Sequence, residues 1–134
     1  MITIKDVQQY EQYMIDFRRD FHMHPEPGFE EFRTSKIIKT ELLKLGYSLV
    51  EGIGVTGILA SLTGNPNGKT VLLRADIDAL QMQEENDVPY KSVNDGFMHA
   101  CGHDTHTAML LGAAKYFSDH RKELNGTVKL AFQS

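Results

Sequence analysis

The chain has 134 residues, a length that suits one domain with enough buried surface for a core. Its apolar and charged fractions, 41% and 24%, are those of a soluble globular protein, and the formal net charge of −4 comes without a basic stripe. That balance argues against a nucleic-acid partner. A single cysteine excludes an internal disulfide, which fits a reducing compartment. The opening stretch, polar from its third residue, lacks the apolar core of a secretory signal. No apolar run approaches the roughly 20 residues needed to span a bilayer, so a cytoplasmic protein without a membrane partner is expected.

Val7, Tyr10, Met14, Phe17 and Phe21 recur at steps of three and four, a helical stripe. It should stop near HPEPG, where Pro25 and Pro27 break helical geometry. A second helix is predicted over Phe29–Leu45, with Ile37, Ile38, Leu42 and Leu45 facing inward and Gly46 as its C-terminal cap. Glu30 and Glu31 would complement the dipole at its start, and His22 and His24 the dipole at the end of the first helix. Three short segments rich in branched residues follow: YSLVEG, TGILASLTG and KTVLLRADIDAL. The turn chemistry of GNPNGK predicts that the last two form a hairpin. QMQEENDVPYKSVNDG reads as a polar loop. A helix is expected from about Asp104 to His120, with Met109, Leu110, Ala113, Ala114 and Phe117 inside, and NGTVKLAFQ as a final buried strand. The order ααβββαβ implies an α/β fold, a mixed sheet flanked by helices.

Chemistry in such sheets gathers beyond the carboxyl ends of the strands. TVLLRADID carries Asp76 and Asp78 to such an end, and HACGHD lies on the loop before the next helix. If the final strand lies beside the third, these points converge. Cys101 and His103, two apart in an extended loop, would point to one side, and thiolate and imidazole are both ligands for zinc and similar ions. The same segment is compatible with a buried cysteine beside a capped helix, or with a thiol nucleophile served by His99, His103 or His106. Asp104 or Thr105 is a natural N-cap, and Asp104 could instead hold a ligating imidazole. His106 could face the site or cover the first helical turn. Asp76 and Asp78 could orient a metal, a histidine or an attacking water, or could bond turn amides.

RRDFHMHPEPGFEE, GVTGILA, LLRADIDAL and MHACGHDTHTAMLLGAA, in this order and at these separations, closely resemble the amidohydrolases that cleave N-acyl amino acids. That group includes hippurate hydrolase, N-acetyl-diaminopimelate deacetylase and indole-acetyl-amino-acid hydrolases. It belongs to the aminoacylase–carboxypeptidase dinuclear metallopeptidase family. The resemblance spans nearly the whole chain and implies a zinc-peptidase-like catalytic fold. It also implies two divalent ions (manganese, zinc or cobalt) and a small N-acyl amino acid as substrate. By position, Cys101 and His103 match metal ligands, and Asp76 and Asp78 match the acidic pair that is catalytic or metal-orienting. In more distant relatives a ligand histidine stands where this chain has Asp76.

The family pattern continues FQP-A-E-E after the last strand, with a general base and a metal ligand in the two glutamates. This sequence reads LAFQS and stops at Ser134. Residues 1–134 are therefore expected to be one partial catalytic domain, its N-terminal portion. Both glutamates, the later histidine ligands and the small dimerisation or lid domain would be missing, and hydrolysis by the chain alone would be weak. A non-catalytic interaction fragment, self-associating through uncovered surfaces, is the alternative from another class.

Overall fold

Why GNPNGK does not close a hairpin is visible in a computed structural model, which describes residues 3–134. The strands are β1 (Ser48–Ile53), β2 (Gly57–Thr63), β3 (Asn65–Asp76) and β4 (Asn125–Gln133), ordered β1-β2-β4-β3. The final strand lies between the two that were expected to pair. It runs antiparallel to β2 and parallel to β3. The Gly-Asn-Pro segment instead crosses the end of β4, where the register slips between Asn65 and Lys69. The hairpin is made by β1 and β2, joined through Gly54, Val55 and Thr56.

β4 takes the central place because its alternation is the cleanest. Gly126, Val128, Leu130 and Phe132 are buried, and Ile58, Ala60 and Leu62 of β2 face the last three as direct cross-strand partners. β3 is an edge strand bonded only to β4, so Val71 and Leu72 are exposed although the sequence reads as a buried run. Its parallel pairing with β4 needs a crossover, which α4 (His103–Asp119) supplies.

The first helical stripe breaks into α1 (Ile4–Gln8) and α2 (Glu11–Met23) around Tyr10, which is buried and donates its hydroxyl to Asp119 Oδ2. α3 (Phe32–Lys44) buries Ile38 and Leu42. It ends in the cap that Gly46 promised: Gly46 has φ 82°, its amide donates to Leu43 O, and the Tyr47 amide donates to Leu42 O. At the other end of α3, Glu26 accepts the amides of Arg33 (2.9 Å) and Thr34 (2.8 Å). The sequence had assigned that end to Glu30 and Glu31. Glu31 is instead buried, its carboxylate accepting from the hydroxyls of Thr56 and Ser134.

α4 presents Thr107, Ala108, Leu111 and Ala114 to the interior, with Leu110 also buried. Met109, expected inside, is exposed. The buried face follows the i, i+3, i+4, i+7 row from Asp104, one position away from the row assumed. Phe21, Ile38, Leu42, Leu111, Leu130 and Phe132 form the centre of one core between helices and sheet.

Val55 sits in the β1–β2 turn with φ 81°, a left-handed conformation that a β-branched residue adopts only under strain. Its side chain is exposed, so replacement loses little packing. Val55→Asn is expected to stabilise the fold by about 1 kcal/mol, read as a higher denaturation midpoint with an unchanged slope.

Candidate metal centre

The parallel register of β3 and β4 places Asp76 opposite Gln133 at the carboxyl end of the sheet. Beyond it the chain continues through Ile77, which is buried and donates its amide to Gln133 O, so Asp78 is held next to the strand end. The loop from Gln81 onward returns through a bridge of Leu80 with Met98 and delivers HACGHD to the start of α4. Asp76, Asp78 and the first turn of α4 therefore meet, as expected of a final strand lying beside the third.

Two imidazoles converge on this acidic tip. His106 Nδ1 donates to Asp76 Oδ1 at 2.6 Å. His103 Nδ1 donates to Asp78 Oδ1 at 2.9 Å and lies 3.0 Å from the Asp78 carbonyl, while its Nε2 is 3.5 Å from Asp76 Oδ2. The two rings stack with centroids 5.7 Å apart. Thr107 Oγ1 donates to the carbonyls of Asp76 (3.0 Å) and His103 (2.9 Å), tying helix to strand end. Burial pushes the Asp76 carboxyl up, but the His106 hydrogen bond and the nearby His103 outweigh it and hold it below its ordinary value. The Arg74 guanidinium places a positive charge beside the same carboxylate, its Nη1 3.4 Å from Asp76 Oδ2.

Asp76, His103 and His106 each offer a ligand atom within 4.8 Å of the others. Two imidazoles and a carboxylate form a donor set that zinc and manganese accept. The Nδ1 bond to Asp78 fixes the His103 tautomer that leaves its Nε2 lone pair toward the cluster, an arrangement common to metal-bound histidines. His99 adds an oddity at the same end. Its ring is buried, and neither nitrogen has a hydrogen-bond partner among the described residues. These residues fit a divalent ion.

The sequence reading placed Cys101 beside His103 on the argument of an extended loop. The loop is not extended there. Gly102 takes φ 85° and is the N-cap of α4, so His103 already belongs to the helix and the alternation fails. Cys101 is exposed and stands outside the cluster of Asp76, His103 and His106. Nor does Asp104 or Thr105 serve as the N-cap. Asp104 turns inward and is bonded to His22. His106, left open by the sequence, faces the site. The signal for it was the spacing His103–His106, one turn of a helix on one face.

Residues 72–134 match the model of a family described as peptidase family M20/M25/M40. Over 129 residues the chain is 46% identical to thermostable carboxypeptidase 2 of Saccharolobus solfataricus, covering 96% of this chain and 33% of that protein. It is 42% identical over 127 residues to N-acyl-L-amino acid amidohydrolase of Geobacillus stearothermophilus, covering 95% and 34%. Among solved structures it resembles the YXEP protein of Bacillus subtilis, a dinuclear metal binding peptidase of the M20 family. The TM-score is 0.86 and the identity 40%, over 93% of this chain and 35% of that one. The chain thus spans about a third of the length of the relatives it matches. No helix among the described residues is long and apolar enough to cross a membrane.

Proposed function

We propose, for a chain that belongs to peptidase family M20/M25/M40, that its residues form part of a metal-dependent site that hydrolyses the amide bond of N-acyl amino acids. The observation that supports this most directly is the convergence of Asp76, His103 and His106 at the carboxyl end of β3. His103 and Asp76 would hold a divalent ion (manganese, zinc or cobalt), with His106 within reach. Cys101, exposed and two residues before His103, remains a proposed ligand. A bound cation would supply Lewis acidity, polarising the acyl carbonyl and lowering the pKa of an attacking water.

The chain's own residues do the positioning. Asp78 holds the His103 ring by its Nδ1, and Asp76 holds His106 while presenting its second oxygen to the cluster. The same chemistry serves N-acyl amino acids and the carboxyl-terminal bond of a peptide, since both are amides of an amino acid with a free carboxylate. The names of the relatives, an amidohydrolase and a carboxypeptidase, divide along that line. Within the cluster Asp76 and Asp78 each spend one oxygen on an imidazole, and we assign both to positioning rather than to taking the water's proton. General-base assistance is worth about 10²–10⁴-fold, and turnover by this chain alone is expected to be low.

Binding is therefore the decisive measurement. Calorimetric titration with manganese, zinc or cobalt should show saturable uptake that a chelator reverses and Asp76→Asn weakens. Absence of uptake for all three ions would remove the proposal. Release of free amine from N-acetyl or N-benzoyl amino acids should depend on the added ion. Turnover that survives chelator and is lost on alkylation of Cys101 would make the protein a thiol enzyme instead.

A further inference from the structure

Behind the first turn of α4, away from the metal cluster, lies a second set of titratable groups that the proposed chemistry does not use. His22, from the last turn of α2, is buried between two buried carboxylates. Its Nδ1 donates to Asp104 Oδ2 at 2.6 Å and its Nε2 donates to Glu84 Oε1 at 3.0 Å. Asp104 Oδ2 also meets Arg18 Nε at 3.0 Å, and Asp104 Oδ1 accepts the Thr105 amide at 2.8 Å. Glu84 Oε2 accepts the Ser92 amide at 2.6 Å, and Glu84 Oε1 accepts Asn86 Nδ2 at 3.1 Å. Burial pushes the Glu84 carboxyl up, but the Ser92, His22 and Asn86 bonds prevail and hold it below its ordinary value.

We infer that His22 is a positioning residue for the metal cluster, acting through Asp104. This rests on the reading of Asp76, His103 and His106 given above. α4 has no side-chain N-cap: its cap position is Gly102, in a left-handed conformation, with no side chain to bond the first turn. The orientation of the first turn must be set from elsewhere. Asp104 sets it together with Thr107: Thr107 bonds the strand end, and the Asp104 carboxylate is held by α2 through His22 and Arg18. His22 then ties the same point to the loop carrying Glu84 and Ser92, which leads on to His99, Cys101 and Gly102. His103 and Asp104 are adjacent on the helix and look in different directions, one to Asp78 on the strand end, the other to His22. A small rotation of the turn about Asp104 therefore displaces His103 from Asp78 and His106 from Asp76. The relay is also costly to leave incomplete, since removing one member strands a buried charge on another.

A merely structural bond would stabilise α4 without favouring its first turn. The Tyr47 hydroxyl, which donates to Ala114 O at 3.0 Å, is such a bond on the same helix. The test compares His22→Gln and Glu84→Gln with Tyr47→Phe by imidazole nitrogen NMR of the metal-free protein, cation titration and thermal melting. The expected result is that His22→Gln shifts the His103 and His106 ring resonances and weakens zinc or manganese binding by about 10–100-fold. Glu84→Gln should act in the same direction, and it carries the test if His22→Gln does not fold. Tyr47→Phe should lower the melting midpoint with neither effect. The inference is overturned if the rings of His103 and His106 are unmoved in the relay variants, or if Tyr47→Phe moves them as much. Should the parent bind no cation, the metal reading fails on its own, and the ring resonances still decide the role of His22.

Discussion

Replacing His103 by alanine is expected to weaken divalent-cation binding by more than ~100-fold, beyond the upper end of what the loss of a ligand's supporting partner costs. The thermal midpoint should change by only a few degrees. Among the described residues His103 is the one side chain that touches both carboxylates, with Nδ1 on Asp78 and Nε2 toward Asp76. Its removal takes away a proposed donor atom and also the group that Asp78 orients. The stability cost is small because the first turn of α4 is held by Asp104 and Thr107, whose bonds the substitution leaves intact. Asp78→Ala should cost about 10–100-fold by releasing the ring, and Asp78→Asn less, since an amide oxygen still accepts from Nδ1. Cys101→Ala distinguishes two ligand sets. A loss close to that of His103→Ala gives the sulfur a place in the coordination. Unchanged affinity leaves Asp76, His103 and His106 as this chain's donors. Calorimetric titration of the four variants under one buffer and salt condition reads all of these.

The meeting of Asp76 and Asp78 with the segment around His103 was legible in the sequence, because its parts are local, whereas the place of His106 was left open. Asp76 and Asp78 end a strand, and His103 lies just before the predicted helix that carries His106. What remained was to bring the two ends together, which follows once a helix joins parallel strands. The pairing of β3 with β4 met that condition, whereas the sheet order did not come from local signals. GNPNGK has the composition of a hairpin turn, but turn composition cannot exclude a third strand inserted between the two arms. That depends on the burial pattern of β4, some 60 residues later. The buried polar groups were hidden for the same reason. His22 and Asp104 are separated by 82 positions, Tyr10 and Asp119 by 109, and no spacing rule connects them. Glu26 capping α3 from seven residues upstream escapes a rule that looks for the cap beside the helix. The Cys101 argument failed at one residue. Glycine permits the left-handed turn that ends the extended segment, and the sequence does not say whether a permitted turn is taken.

His99 yields the second large effect, on stability rather than binding. Burial is the main cause that lowers its pKa from 6.5 to about 4, outweighing the pull of the Asp104 carboxylate. The folded protein thus keeps the ring neutral where the unfolded chain protonates it. Above about pH 6.5 neither state takes the proton, and the contribution of His99 to stability is at its full value. As the pH falls from there toward 4, the unfolded state binds one proton more, and stability is lost at about 1.4 kcal/mol per pH unit. By pH 5 the loss is about 2 kcal/mol. His99→Leu keeps a side chain of similar bulk and sacrifices no bond, since both ring nitrogens lack partners among the described residues. The variant should match or exceed the parent at pH 7.5 and exceed it by about 2 kcal/mol more at pH 5. Denaturant melts of parent and variant across this range give the answer as a difference, in which the titration of the other five histidines cancels. Parallel profiles for the two proteins would mean that the imidazole of His99 takes up its proton as readily in the fold as out of it.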